Sequence, residues 1–244
     1  MAWQDPRTTF GQPPVGAASQ TQVAFDAGLR TYMLKVYNYM ASGVLLTGIV
    51  AMLFASSGLA QDIMFGGGPL KWLIILSPLA IVFAMSFGQN KFSTVTIQAM
   101  FWAFAALMGL SMSTIFLVYT GASIAQTFFA TAAAFLGLSL YGYTTKKDLS
   151  GMGTFLIMGV IGLLVAMVIN IFLQSTMMQL VISAIGVLIF AGLTAYDTQR
   201  IKSMYAYVAG TDMVGKTVVL SALSLYLDFI NMFQFLLYFM GNQE

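Results

Sequence analysis

The sequence predicts an all-α integral membrane protein, a bundle of seven transmembrane helices with its amino end on the cytoplasmic side. Three observations carry this. First, 59% of the 244 residues are hydrophobic and only 7% are charged, whereas soluble domains carry about 25% charged residues and need them to cover an apolar core. Second, seven apolar runs are each long enough to cross about 30 Å of hydrocarbon, which takes ~20 helical residues. Third, lysine and arginine fall almost entirely on one side of the spans so defined.

The runs lie at about Tyr32–Phe54, Leu70–Phe87, Ile97–Thr120, Ile124–Tyr143, Thr154–Leu173, Met177–Tyr196 and Thr217–Met240. Ahead of them, residues 1–31 form a polar tail whose Gly, Pro and Gln content is that of a disordered segment. The tail has no continuous apolar core of about 7–15 residues, so it does not read as a cleavable signal peptide. Residues 32–244 then make up the membrane domain. The second run is short and holds Pro78 near its middle, which predicts a kink and a carbonyl freed from its helical bond. Very short loops near Thr120–Ser123 and Gln174–Thr176 predict that spans three and four, and spans five and six, are antiparallel neighbours. In the fifth run Gly159, Gly162, Ala166 and Asn170 recur on one face, a pattern for close helix contact and one interhelical hydrogen bond. The many methionines and phenylalanines read as packing and lipid-facing residues.

With the amino end inside, Arg7, Arg30, Lys35, Lys91, Lys146, Lys147, Arg200, Lys202 and Lys216 are cytoplasmic and only Lys71 is outside. Cytoplasmic loops retain positive charge, so this distribution sets the orientation. A net charge of +2 spread over loops makes no basic face for nucleic acid. Short loops and the absence of a signal peptide fit a bacterial inner membrane, and a eukaryotic internal membrane would satisfy the same hydropathy.

Cysteine and histidine are both absent, which removes disulfides, thiolate nucleophiles, zinc sites built on imidazole or thiolate, and Ser-His or Cys-His catalytic pairs. No cofactor is implied, and the expectation is a protein that is not an enzyme. Two acids stand out, because a carboxylate at a span's centre costs about 2.5–3.5 kcal/mol on insertion scales. Asp228 lies in the middle of the seventh run and Asp197 ends the sixth. At 100° per residue, Ser221, Ser224, Asp228 and Asn231 fall within about 80° of one another, a polar stripe expected to face the bundle interior. Ser183, Gly186, Thr194 and Asp197 group likewise on the sixth run. The acids are therefore expected to meet in the inner half of the membrane.

Such a pair would share a proton and act as a pH-sensitive latch. Deprotonated, it offers hard oxygen ligands that suit calcium; since calcium takes about 6–8 oxygens, Asp197 and Asp228 would be weak metal ligands, as permeation requires. Asn231, Ser224 and Thr194 are the supporting candidates, with Arg200 close to Asp197. The plainer reading of Asp197 is an interfacial ion pair with Arg200; that of Asp228 is a buried acid bonded to Asn231 or a backbone carbonyl.

The segments LSLYLDFINMF around Asp228, AGLTAYDTQRIK around Asp197 and YGYTTKKDLSGMG from Tyr141 to Gly153 resemble the bacterial branch of the Bax inhibitor-1 (transmembrane Bax-inhibitor-motif) family. The resemblance implies a seventh helix surrounded by the other six. It also implies a pH-dependent calcium leak in which Asp197 and Asp228 form the sensor pair. A basic residue on the second helix engages the acids in that picture; between Leu70 and Phe87 only Lys71, at the outer boundary, is charged, leaving the role to Arg200, Lys202 or water. Some relatives instead bind and restrain the FtsH membrane protease through an amino-terminal tail, here Met1–Arg30.

Other seven-span readings fit less well. An intramembrane aspartyl protease would share the two-helix acid pair, but Leu225-Tyr226-Leu227 precedes the second acid where glycines are expected, and no later span carries a Pro-Ala-Leu element. A retinal protein needs a lysine inside a span, and none is central. A proton-coupled transporter would use a similar carboxyl pair, but the broken helices paired by an internal repeat that such a transporter carries are not evident here.

Overall fold

The computed structural model describes residues 15–242. Among the described residues nine helices follow one another: α1 (Val15–Ser56), α2 (Leu59–Phe65), α3 (Pro69–Gly88), α4 (Thr94–Met112), α5 (Ile115–Val118), α6 (Gly121–Thr144), α7 (Ser150–Leu173), α8 (Thr176–Val208) and α9 (Val214–Met240). Among the described residues seven segments are long and apolar enough to span a bilayer, with α4 and α5 together making the third. The expected seven spans are all present.

The last span is the most buried. In α9, 72% of the apolar window is enclosed, against at most 39% in any other span, and α8, α1, α6 and α4 pack around it. Helix α3 leans on α4, and α7 on α8, so these two stand outside the inner ring. Tyr226 shows how the centre is built. Its ring is edge-on to Phe104 at 5.1 Å between centroids, and its hydroxyl meets Thr47 Oγ1 at 2.6 Å. Thr47 in turn donates to Ala105 O at 2.8 Å, joining α1 to α4. A buried hydroxyl left without a partner costs about 1–3 kcal/mol, so these bonds select one packing of three helices.

Several boundaries differ from the hydropathy reading, for related reasons. Helix α1 begins at Val15, so residues 15–31 continue the first span as helix where a disordered tail was expected; residues 1–14 lie outside the described residues. Helix α8 runs to Val208, twelve residues past Tyr196, so Asp197 sits within a helix where the end of one was expected. The two extensions pack on each other. Tyr205 lies against Phe25 at 5.1 Å and against Tyr32 at 5.3 Å, and Gly28 admits its hydroxyl where any Cβ would collide. Hydropathy falls at both places while apolar residues keep recurring at helical spacing, and mutual burial of that face holds the helices together.

Spans three and four touch where α5 meets α6, and beyond that they part: α4 packs on α1, α3 and α9, while α6 packs on α8 and α9. The turn between them is short but diverges at the Ser113–Thr114 break and the four-residue α5. Spans five and six do pair as expected. Asn170 closes their turn, accepting from Ser175 N at 3.1 Å and donating to Gln179 Oε1 at 3.2 Å. Gly159 packs on Ile189 of α8, whereas Gly162 faces open space, so the small-residue face is used in part. Helix α3 continues through Pro78. The proline has no N–H for Ile74 O, and Ser77 Oγ donates to that carbonyl at 3.0 Å.

Candidate functional site

Asp197 and Asp228 reach similar depths because of how α8 and α9 are joined. Asp197 lies eleven residues before the end of α8 and Asp228 fourteen after the start of α9, or about 17 and 21 Å from the connecting turn at 1.5 Å per residue. The helices are packed against each other, which sets the two carboxylates on adjacent spans at similar depth. Both are buried, at 9% and 5% exposure. The two acids, expected from the sequence to meet, are set by the fold on neighbouring helices at similar depth.

Their surroundings are unequal. Asp197 forms part of the wall of a cavity of about 310 Å³ between α3, α8 and α9, to which Ser86, Gln89, Arg200, Lys216 and Ser224 also contribute. Arg200 Nη1 stands 3.7 Å from Asp197 Oδ1 and is itself half exposed. Asp228 sits one step deeper, and its Oδ2 finds no hydrogen-bond donor among the described residues. A buried carboxylate oxygen without a donor is costly to maintain, and such sites are held by the fold around them.

The supporting residues divide. Arg200 is at Asp197, and Ser224, on the stripe with Asp228 in the sequence reading, lines the Asp197 cavity. Asn231 donates to Leu227 O at 2.7 Å, so its amide is committed to its own helix and not to Asp228. Thr194 Oγ1 likewise donates to Phe190 O at 2.8 Å, the usual way a hydroxyl is satisfied inside an apolar helix. Ser221 is bonded to Tyr32 of α1 at 3.2 Å. Lys202 faces away from the acids: its Nζ donates to Tyr143 O at 2.8 Å and lies over that residue's ring.

Sequence reasoning missed Lys216. Its Nζ donates to Gln89 O at 2.9 Å, tying the start of α9 to the carbonyl end of α3 across the mouth of the cavity. The sequence signal was present, a basic residue in the first turn of the seventh span, but it was counted only as loop charge. Also missed was a chain of hydroxyls behind the acids, in which Tyr37 meets Ser139 at 2.8 Å and Ser139 meets Thr198 at 2.8 Å. Thr198 follows Asp197 directly, so this chain links α1 and α6 to the acid-bearing turn of α8.

The stripe on α9 points two ways. Asp228 and Ser221 are buried, whereas Leu220, Ser224, Leu227, Asn231 and Gln234, at helical spacing, form the least covered line of the helix. At one end this line borders the Asp197 cavity. At the other it leads to Tyr238, which with Thr114, Tyr119 and Gln179 lines a second cavity of about 360 Å³. From Leu227 to Tyr238 is about 16 Å of helix. Among the described residues no three His, Cys, Asp or Glu side chains converge, so the two aspartates are the acidic oxygens available to a cation here.

Comparison with known proteins agrees with this architecture. A protein of Caulobacter vibrioides is 45% identical over 238 residues, covering 93% of this chain and 95% of its own. The RP147 protein of Rickettsia prowazekii is 48% identical over 221 residues, 90% of this chain and 93% of its own. The inner membrane protein YbhL of Escherichia coli is 44% identical over 220 residues, 89% of this chain and 94% of its own. The profile of the family described as inhibitor of apoptosis-promoting Bax1 matches residues 29–244, the stretch that holds every span and both acids, and the chain belongs to that Bax inhibitor family.

Proposed function

We propose that this protein is a pH-sensitive leak for cations, calcium in the first place, in a bacterial inner membrane, the location printed for its relative YbhL. The observation that carries the reading is Asp228, mid-span and buried, with Oδ2 unsatisfied, and Asp197 in the wall of a cavity that Arg200 and Lys216 also line. A carboxylate kept at that depth without donors is poised for a proton or a cation.

The chemistry follows from the residues. A cation entering the cavity meets Asp197 first, where Arg200 competes for the carboxylate. Displacing Arg200 exposes Asp197 oxygens and brings the ion within reach of Asp228. Onward passage follows the partly exposed line of α9, where Asn231 and Gln234 offer amide oxygens, toward the second cavity at Tyr238. With two carboxylates and few further oxygens, retention is weak, which suits a leak. Protonation of the pair removes its charge and so changes both its hold on Arg200 and its attraction for the ion. Helix α3 is the movable wall, packed mainly on α4 and held to α9 through Lys216.

A second reading, a non-transporting modulator that binds an FtsH-like membrane protease or another membrane partner, draws on the part of α1 ahead of the span, where Val23 is 67% exposed. Calcium flux into dye-loaded liposomes at several pH values separates the two, with Asp197→Asn and Asp228→Asn as variants. A pH-dependent flux whose profile flattens in Asp228→Asn supports the leak. No flux above protein-free liposomes at any pH refutes it and leaves the partner-binding reading.

A further inference from the structure

Helices α1 and α6 both pack on α9 but leave a cleft between them, filled by three cavities set end to end. The first, about 400 Å³, runs from Met52 and Gly121 over a floor of Phe229, Ile230 and Phe233. The second, about 410 Å³, shares Val44, Leu45 and Phe128 with the first and extends to Tyr37. The third, about 390 Å³, shares Tyr37 and Leu136 with the second and ends between Arg30 and Tyr143. From Arg30 to Met52 is about 33 Å along α1, close to the hydrocarbon thickness of a bilayer. The trough is apolar over its length and opens sideways, Leu45 and Leu136 on its two edges being 65% and 67% exposed.

Its two ends differ. The far end is hydrocarbon only. At the near end Arg30 is exposed, the Tyr37 and Tyr143 rings sit at the depth where aromatic side chains meet headgroups, and Lys202 adds a second positive charge against Tyr143. An apolar trough that ends at a cationic, aromatic mouth is complementary to one kind of molecule, an amphiphile with an anionic head. Lipid is also the solvent on this side of the protein. We infer that the α1–α6 trough is a binding site for an anionic glycerophospholipid of the leaflet at the basic end, its phosphate at Arg30 and an acyl chain laid past Tyr37 toward Val44.

The site touches the rest of the protein through Tyr37, whose hydroxyl leads by Ser139 to Thr198 beside Asp197. A lipid seated there holds the Tyr37 ring against α6 and so braces the turn of α8 that carries the acid.

The test is native mass spectrometry of the full-length protein in detergent, titrated with phosphatidylglycerol and with phosphatidylcholine of the same acyl chains. A basic side chain near an anionic lipid is worth about a fivefold preference. The wild-type protein is expected to bind the first phosphatidylglycerol at least about fivefold more tightly than phosphatidylcholine, and Arg30→Gln to cut that preference by about fivefold, any remainder coming from Lys202. Ala41→Phe, which puts a ring into the trough from an exposed position on α1, is expected to weaken both. If it unfolds the chain, the Arg30→Gln comparison still decides. Equal binding of the two lipids by the wild type, or a preference untouched by Arg30→Gln, overturns the proposal and leaves an ordinary lipid-facing groove. So does a dimer that Ala41→Phe dissolves, which would mean that a second copy covers the trough.

Discussion

A tight approach of one span to the backbone of another lies beside the acid-bearing turn of α8, and it can be tested with one methyl group. A Cβ built on Gly142 of α6 would stand 2.2 Å from Ala195 O on α8, about 1 Å inside the closest separation that side chains adopt. The neighbour is backbone, so it cannot rotate away; the helices must part by about that distance, two residues from Asp197. Gly137, on the same helix, would place its Cβ in open space. Glycine to alanine within a helix gains up to ~1 kcal/mol in both cases, so the difference between Gly142→Ala and Gly137→Ala isolates the clash. Overpacking of this kind costs about 1–3 kcal/mol. With each kcal/mol moving the midpoint by about 2–4 °C in a chain of this length, Gly142→Ala should melt ~2–12 °C below Gly137→Ala. Thermal unfolding of the two variants in one detergent measures this. Equal midpoints would refute the helix contact and with it the placement of α6 against the acid-bearing turn.

Two further outcomes follow from single contacts. Lys216→Met removes the bond to Gln89 O, and amide exchange over Phe87–Gln89 should quicken while α4 stays unchanged; no difference would mean that α3 needs no tether. Asp148, in the loop before α7, accepts from Ser150 N at 2.9 Å, and the Ser150 amide and hydroxyl hold its carboxyl below the usual 3.8. Its contribution is therefore full above 3.8 and is lost as pH falls through the lower folded value. Amide exchange at Ser150, corrected for its intrinsic pH dependence, should rise on that acid side in the wild type and be raised at all pH values in Asp148→Ala.

The spans and the acids were legible in the sequence because both are large local signals. Twenty apolar residues in a row have few other solutions, and a carboxylate among them is conspicuous. The paired depth of Asp197 and Asp228 followed from counting residues to a shared turn. What could not be read is what depends on distant partners. The helical spacing of apolar residues over Ser203–Val208 is too weak a local signal to tell that helix from a loop; Tyr205 packing against Phe25 and Tyr32 does. Nor does a wheel tell whether Thr194 and Asn231 turn toward an acid or back to Phe190 O and Leu227 O, since both satisfy a buried polar group equally well.

The stripe on α9 bears on how an ion would cross. A polar line facing the centre of a ring of helices would put the path inside the bundle, but α9 is itself the most enclosed span, with Tyr226, Leu225 and Met232 fully buried. The partly exposed line through Ser224, Asn231 and Gln234 is therefore the route along α9 lined with polar groups, and it runs along the side that opens toward α3. Motion of α3, the span tied to α9 by Lys216 at one end and carrying Pro78 at its middle, would widen that side without disturbing the packed centre. An α3–α9 crosslink near the Gln89–Lys216 contact should then suppress flux while leaving the thermal midpoint unchanged or raised. Flux that persists through the crosslink would place the path elsewhere.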